Sequence, residues 1–328
     1  NEMIKLTLER KEELRKNFSG KRIAVVGDMM LDCYITGDVK RISPEAPVPV
    51  IEVENEFYRF GGAANVAYNI ISLGGLPIPV GVIGDDQYGN IFKQLLSDVG
   101  IDSSGLLVTQ TRPTTAKTRV ISQGQHIVRI DKEVKENINK DEENVLFNSL
   151  IALADTLDGI ILEDYNKGVL TASLIEKIIA YFKEKNVLIT VDPKFNNLMS
   201  YKGVTVFKPN RKEAEAILGM RIKTSEDVSN AGKKLLELLD AQYVLLTLSE
   251  EGIAVFQKDG LEKRMPTKAQ EVADVSGAGD TVISTLTMAL AAGANILESS
   301  YLANYAGGIV CGEVGVVPIQ LEQLFEAV

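Results

Sequence analysis

The residues best suited to chemistry come late in the chain. Asp274-Val275-Ser276-Gly277-Ala278-Gly279-Asp280 runs directly into a helix-period segment, roughly Gly277 to Ala292. Gly277 and Gly279 let a backbone turn tightly and approach a ligand closely. The unpaired N–H groups of a first helical turn point at whatever lies there, and the helix dipole favours an anion. Asp280 falls inside this nest. The same field is expected to depress its pKa and keep it ionised. A carboxylate held in that state can take the proton from a hydroxyl as the hydroxyl attacks phosphorus. The competing reading is that Asp280 only caps the helix, as Asp often does.

Three further segments carry weaker signals. Gly61-Gly62-Ala63-Ala64-Asn65 opens a helix, so a ligand can lie against its N-terminus, or the glycines only start the helix. Asp28 and Asp32 are expected at the end of the first strand, where short carboxylates reach sugar hydroxyls or close an Asx-turn. Asn210-Arg211-Lys212-Glu213 follows Lys208-Pro209. Asn210 and Glu213 have the spacing of a capping box. Alternatively they order Mg²⁺ through water, with the metal bridging phosphates.

Several chemistries are excluded. No Gly-Lys-Ser/Thr follows a glycine-rich loop, and no Gly-x-Gly-x-x-Gly follows a strand, so neither a P-loop nor a Rossmann dinucleotide site has support. The 328 residues carry 35 Lys and Arg against 45 Asp and Glu, a net charge of −10, which argues against a broad nucleic-acid face. An anionic substrate would need a local gathering of cations. Two cysteines, Cys33 and Cys311, make neither a disulfide framework nor a zinc cluster, and a reducing cytoplasm fits best. Cys33 adjoins Asp32 and reads as a small packed residue. The single histidine, His126, rules out any site needing two, and reads as decoration on a hairpin.

The elements that must position these residues alternate. Strand-length apolar runs are Ile23 to Val26, Ile78 to Ile83, Gly159 to Leu162, Val187 to Val191, Val204 to Phe207, Tyr243 to Leu248 and Ile253 to Phe256. Helix-period segments are Ala63 to Leu73, Tyr88 to Val99, Leu174 to Lys185, Ser225 to Leu239 and Leu297 to Cys311. This pattern predicts an α/β fold with a mainly parallel sheet covered on both faces. Two segments interrupt it, about 34–58 with Pro44, Pro47 and Pro49, and about 114–131, a hairpin turning at Gly124. Both are expected to form a small lid sheet over the carboxyl edge of the main sheet, where open α/β sheets bind ligands. The first twenty residues have no apolar core of a secretory signal, and no run is long enough to span a bilayer.

Together the motifs resemble those of the ribokinase-like (PfkB) carbohydrate kinases. Asp274 to Asp280 matches that family's Asp-Thr-x-Gly-Ala-Gly-Asp signature, with Val275 for Thr. Gly61 to Asn65 resembles its Gly-Gly-x-x-Asn element, and Asn210 to Glu213 its Asn-x-x-Glu motif, in the family's order. A narrower resemblance runs through 41–50, Lys117-Thr118-Arg119-Val120, Asp164-Tyr165-Asn166-Lys167-Gly168 and Asp274-Val275. These are similar to the D-glycero-β-D-manno-heptose-7-phosphate kinases, the kinase half of the bifunctional heptose kinase/ADP-transferases. The transferase half needs a His-x-x-His motif, which one histidine cannot supply. The chain also ends where the kinase half would.

The resemblance implies a ribokinase-like three-layer fold. It implies a single kinase domain over 1–328 with an extension at 1–20. It makes Asp280 the base, with the N–H groups of Gly277, Ala278 and Gly279 as an anion hole. Asp32, Gly61, Gly62 and Asn65 would hold sugar hydroxyls. Asn210 and Glu213 would order Mg²⁺ and the ATP phosphates, Glu213 through water. Thr247, Ser249, Gly252 and Asn304 would line the adenosine pocket. Lys117, Arg119 and Lys167 are the candidates for the sugar's existing phosphate; Ala63 and Ala64 stand where some relatives carry a lysine. A monovalent-cation requirement such as K⁺ is common in that family, while the open edges of the lid strands point to a homodimer, and the charge balance and short apolar runs leave no nucleic-acid or membrane partner expected. The rivals are a ribokinase, fructokinase or phosphofructokinase, and a non-catalytic sugar- or nucleotide-binding regulator.

Overall fold

The computed structural model describes residues 4–268, 275 and 277–328. Val25, Val26, Ile160, Ile161, Leu162 and Leu245 are all fully buried, because the strands that carry them are covered on both faces. Nine strands form the main sheet among the described residues. They are β1 (Arg22–Gly27), β4 (Leu76–Gly84), β5 (Leu106–Thr109), β8 (Gly159–Glu163), β9 (Leu188–Asp192), β10 (Val206–Phe207), β11 (Tyr243–Thr247), β12 (Ile253–Gln257) and β13 (Glu262–Met265). The order is β13-β12-β11-β10-β9-β8-β1-β4-β5. From β5 to β11 every pairing is parallel; β12 and β13 add an antiparallel edge.

Helices cover both faces. One layer holds α1 (Leu8–Phe18), α2 (Ala63–Ser72), α3 (Gln87–Asp98), α8 (Ala278–Ala291), α9 (Ile296–Cys311) and α10 (Leu321–Ala327). The other holds α4 (Lys140–Leu153), α5 (Ala172–Glu184), α6 (Arg211–Leu218) and α7 (Ser225–Leu239). This is the expected three-layer α/β architecture. The turn Gly74-Gly75 ends α2 as the sequence predicts, with Gly74 at φ +87°.

A second sheet of four strands has the order β3-β2-β6-β7. It contains β2 (Met29–Ile42), β3 (Pro49–Gly62), β6 (Ala116–Ser122) and β7 (Gln125–Lys132). The interrupting segments are thus strands, longer than their prolines suggested. β2 leaves the main sheet one residue after β1 ends, so Asp32 lies inside the lid and not at the end of the first strand. β6 and β7 are joined at Gln123-Gly124, both with positive φ, the geometry of a tight hairpin turn.

Candidate active site

Four adjacent parallel strands each place a charged residue at or just beyond the carboxyl end. Asp28 follows β1, Glu163 ends β8, Asp192 ends β9 and Lys208 follows β10. All four are buried. Facing them are the N-termini of α2 and α8 and the inner face of the lid. A cavity of about 370 Å³ lies between these helix N-termini and the lid. Its lining includes Asp32, Gly61, Gly62, Asn65, Lys117, Arg119, Gly277 and Asp280. Eight residues singled out from the sequence therefore meet at one place.

Asp280 is the centre of the site. It is 6% exposed in the first turn of α8. Its Oδ2 accepts from Asn65 Nδ2 at 2.8 Å, and its Oδ1 accepts from the Tyr165 hydroxyl at 2.9 Å. The helix cap is Gly277, which makes no side-chain cap bond. The cap reading of Asp280 is thereby set aside. The expected downward pKa is also wrong: burial, reinforced by the Asp192 carboxylate, pushes Asp280 up to about 6, against the pull of Asn65, Tyr165 and Lys208.

The glycines divide their roles differently from the sequence expectation. Gly277 has φ +77°, and an added Cβ would meet Val316 at 2.9 Å. Gly279 is ordinary helix, and its added Cβ would find only Lys208 Nζ at 3.7 Å and Asp192 Oδ2 at 3.9 Å. Gly279 thus leaves a gap in front of that pair. The Ala278 N–H donates to the Val275 carbonyl at 3.3 Å, which weakens its claim on an anion. Gly61 stands against a carboxylate: its added Cβ would lie 3.1 Å from both Asp32 oxygens, which would have to give by a few tenths of an ångström. Gly62, at φ +58°, would press on the Asp28 carbonyl at 2.4 Å. Asp274 and Ser276 lie outside the described residues.

Behind Asp280, Glu163, Asp192 and Asp280 bring ligand atoms within 4.8 Å of one another. Lys208 Nζ is 3.4 Å from Asp192 and already supplies positive charge there. Burial opposes the charge on Lys208, but Asp192, Glu213 and Glu163 more than offset this and raise its pKa. Burial, Asp192 and Asp280 hold the Glu163 carboxyl well above the usual carboxylate range. Within this group Asp192 raises the Asp280 pKa and Lys208 lowers it.

The lid contributes the cations. Lys117 and Arg119 alternate on β6, with Asp32 opposite Lys117 and Tyr34 opposite Arg119 on β2. Arg119 Nη1 is 3.4 Å from Asp32 Oδ1, and its guanidinium lies over the Tyr34 ring at 5.4 Å. Burial raises the Asp32 pKa, while Arg119 and Lys117 oppose the rise. Lys167 is outside the cavity lining; its ammonium is 2.8 Å from Glu133. His126 does line the cavity. A bulge in β7 shifts the register so that His126 pairs with Ile121, on the Lys117 and Arg119 side.

Asn210 and Glu213 form the reciprocal capping box of α6. Glu213 Oε2 accepts from the Asn210 N–H at 2.8 Å, and Oε1 holds Lys194 at 2.6 Å. Direct metal ligation would displace Lys194; a hydrated cation held through water fits the remaining lone pairs. Thr247 makes a bridge with Asn210 at the end of β11. Ser249 and Gly252, both at positive φ, turn the chain into β12. Asn304 Nδ2 donates to the Pro266 carbonyl at 2.7 Å. These four lie outside the cavity lining; of them, Gly252 and Asn304 pack against Met265–Thr267.

Asp28 is not free for a ligand. Its carboxylate accepts from the N–H groups of Tyr165, Lys167 and Val169, at 2.7, 3.3 and 3.3 Å. Sequence reasoning passed over Tyr165, Glu163, Asp192, Lys194 and Lys208 as site residues. The available signal was their shared position just past successive buried strands.

This fold and site define a phosphotransferase of ribokinase-like architecture. The chain belongs to the pfkB family of carbohydrate kinases, whose model matches residues 21–323. It is 43% identical over 310 residues to the bifunctional protein HldE of Geobacter sulfurreducens, covering 94% of this chain and 63% of that protein. It is also 43% identical over 304 residues to the bifunctional protein HldE of Helicobacter pylori, covering 93% and 65%. The chain thus spans less than two thirds of these relatives. Among solved structures, phosphofructokinase-2 from Escherichia coli in its tetrameric inhibited form superposes with a TM-score of 0.76 at 17% identity, covering 94% of this chain and 98% of that one. Arabidopsis thaliana ribokinase complexed with ribose and ATP gives 0.73 at 20% identity, covering 94% and 98%. Among the described residues no helix is long and apolar enough to cross a membrane.

Proposed function

We propose that the chain is the kinase of D-glycero-β-D-manno-heptose 7-phosphate and transfers the ATP γ-phosphoryl group to the anomeric hydroxyl. The observation that carries this is the single cavity joining Asp280 to Lys117 and Arg119. Asp280 has a pKa of about 6, so it is mostly ionised near pH 7 yet basic enough to accept a proton. Asp32 and Asn65 orient sugar hydroxyls beside it, and Lys117 and Arg119 take the anion at the sugar's far end. As the anomeric oxygen bonds to the γ-phosphorus, the bond from that phosphorus to the β–γ bridging oxygen breaks, ADP leaves, and the hydroxyl proton passes to Asp280. The N-terminus of α8 and the buried Lys208 face the charge on the transferring group.

Mg²⁺, when bound, neutralises charge on the nucleotide phosphates. Glu213 would hold it through water, and Asn210 fixes Glu213 through the capping box. Thr247, Ser249, Gly252 and Asn304 are assigned to the adenosine side, next to that box. We treat the whole chain as one kinase domain with its lid, and we also propose a homodimer through the lid. A potassium-bound phosphofructokinase-2 structure is among the fold relatives, and a K⁺ requirement is part of the same reading.

The test is a phosphorylation panel over sugars and sugar phosphates, with wild type and Asp280→Asn. Heptose 7-phosphate is expected to be the best acceptor. The Asn variant is expected to lose ~10²–10⁴-fold in kcat with little change in ATP affinity. Preference for ribose or fructose would remove the heptose assignment. Full turnover by the Asn variant would remove Asp280 from the base role.

A further inference from the structure

We infer that Tyr165 is the positioning residue of Asp280, and that its hydroxyl sets both the orientation and the acidity of that carboxylate. This rests on the reading of Asp280 as the base. The phenol donates to Asp280 Oδ1 at 2.9 Å while Asn65 donates to Oδ2 at 2.8 Å, so each oxygen carries one fixed donor. Two donors on opposite oxygens lock the carboxylate plane. A second lone pair on each oxygen stays open to a substrate hydroxyl.

The mounting of Tyr165 is unusually complete. Its backbone N–H is held by the buried Asp28 carboxylate at 2.7 Å. The next residue, Asn166, has φ +56° and donates its N–H to Asp164 Oδ1 at 2.8 Å. The other Asp164 oxygen accepts from Tyr201 at 2.7 Å. Gly168 closes the loop at φ +87°, packed so tightly that an added Cβ would meet the Glu136 carbonyl at 2.0 Å. Two buried carboxylates are therefore used to shape one five-residue loop. The loop's one side chain in the cavity is Tyr165. Lys194 lies 5.4 Å from the ring centroid and presses on its face.

The phenol stays a donor. Burial and the neighbouring Asp280 carboxylate hold its pKa well above the usual tyrosine range. The charged and titratable groups facing Asp280 are Glu163 from β8, Asp192 from β9, Lys208 after β10 and Tyr165 itself, with neutral Asn65 from α2. Of these, only Tyr165 and Asn65 make hydrogen bonds to the carboxylate among the described residues. A hydrogen bond to the charged form favours it, so loss of the phenol must raise the carboxyl pKa.

The experiment uses Tyr165→Phe, alone and in the Asp280→Asn background. Tyr165→Phe is expected to lower kcat about 10- to 100-fold with KM for ATP unchanged. The acid limb of the kcat–pH profile is expected to move up by about one unit. In the Asp280→Asn background the same change should cost less than about twofold, since the group it positions is gone. Incorporation of 3-fluorotyrosine at 165 keeps the hydroxyl and makes it a stronger donor, so the limb should move to lower pH. An equal loss in both backgrounds, or a limb that stays in place, overturns the inference. The carboxyl ¹³C resonance missing from Asp280→Asn protein gives a readout without turnover. Its titration in sugar-free wild type and Tyr165→Phe decides the point whatever the sugar proves to be. If that titration does not shift upward in the Phe variant, Tyr165 does not set Asp280.

Discussion

Lys117 and Arg119 stand two residues apart on β6 and face the same cavity, yet their surroundings give them different tasks. Arg119 is tied to Asp32 and lies over Tyr34. Lys117 makes no such ion pair among the described residues. A charge-assisted hydrogen bond to a phosphate is worth about 1.5–3 kcal/mol. Lys117→Met should therefore raise KM for a phosphorylated sugar roughly 10- to 150-fold and leave the unphosphorylated sugar unaffected. Arg119→Met should raise KM for both, because it also frees Asp32 to protonate and drop its sugar contacts. Steady-state kinetics on a matched pair of sugars separates the two. Equal behaviour of the two variants would mean that Arg119 is a simple phosphate contact. Asp280 was legible from its motif, but its acidity was not. A motif announces a helix N-terminus, whereas burial and the approach of Asp192 depend on where two other strands end.

At the scale of elements, the alternation of apolar runs and helical periods gave the sheet and its two layers almost complete. It missed α4, although Leu146 and Leu150 are fully buried there, and pieces whose apolar signal is thin. β5 has four residues and β13 is mostly charged. α1 is the clearest case. Its sequence is dominated by Glu, Lys and Arg, so 1–20 read as an extension. Only Leu14 and Phe18, one turn apart, are fully buried, and that pair escapes any count of hydrophobic residues. Phe18 packs edge-on against Phe325 of α10 at 5.3 Å. Arg10 forks onto Glu298 of α9 at 3.1 and 2.9 Å. α1 thereby fastens the last two helices to the layer that carries α8. Phe18→Ala is expected to cost about 3–5 kcal/mol through the cavity it leaves. Thermal unfolding should fall by several degrees, while kcat of the folded protein stays unchanged, since no residue of α1 lines the cavity. An unchanged melting temperature would mean that α1 does not hold the layer together.

The whole molecule carries a net charge of −10, yet the inner face of its lid is cationic and the outer face apolar. These two faces answer different needs. Cross-strand pairing puts Val128 opposite Val120 and Ile130 opposite Thr118, on the side away from Lys117 and Arg119. Every residue of β7 is exposed, including Ile127, Val128 and Ile130, and β7 is an edge of the lid sheet. An eight-residue edge strand offers about 27 Å of unpaired backbone beside an apolar strip, an arrangement that a lone protein usually blocks. A second copy of the chain can cover both the edge and the strip, burying residues that otherwise face water. The expected outcome is a dimer at micromolar concentration in light scattering coupled to size exclusion. Val128→Asp with Ile130→Asp would set two carboxylates against their symmetry mates and should convert it to a monomer. Because β7 also carries His126 into the cavity, the monomer is expected to bind sugar phosphate more weakly, with ATP affinity retained. A wild-type protein that is monomeric at micromolar concentration, or a variant that stays dimeric, would rule out the lid as the interface.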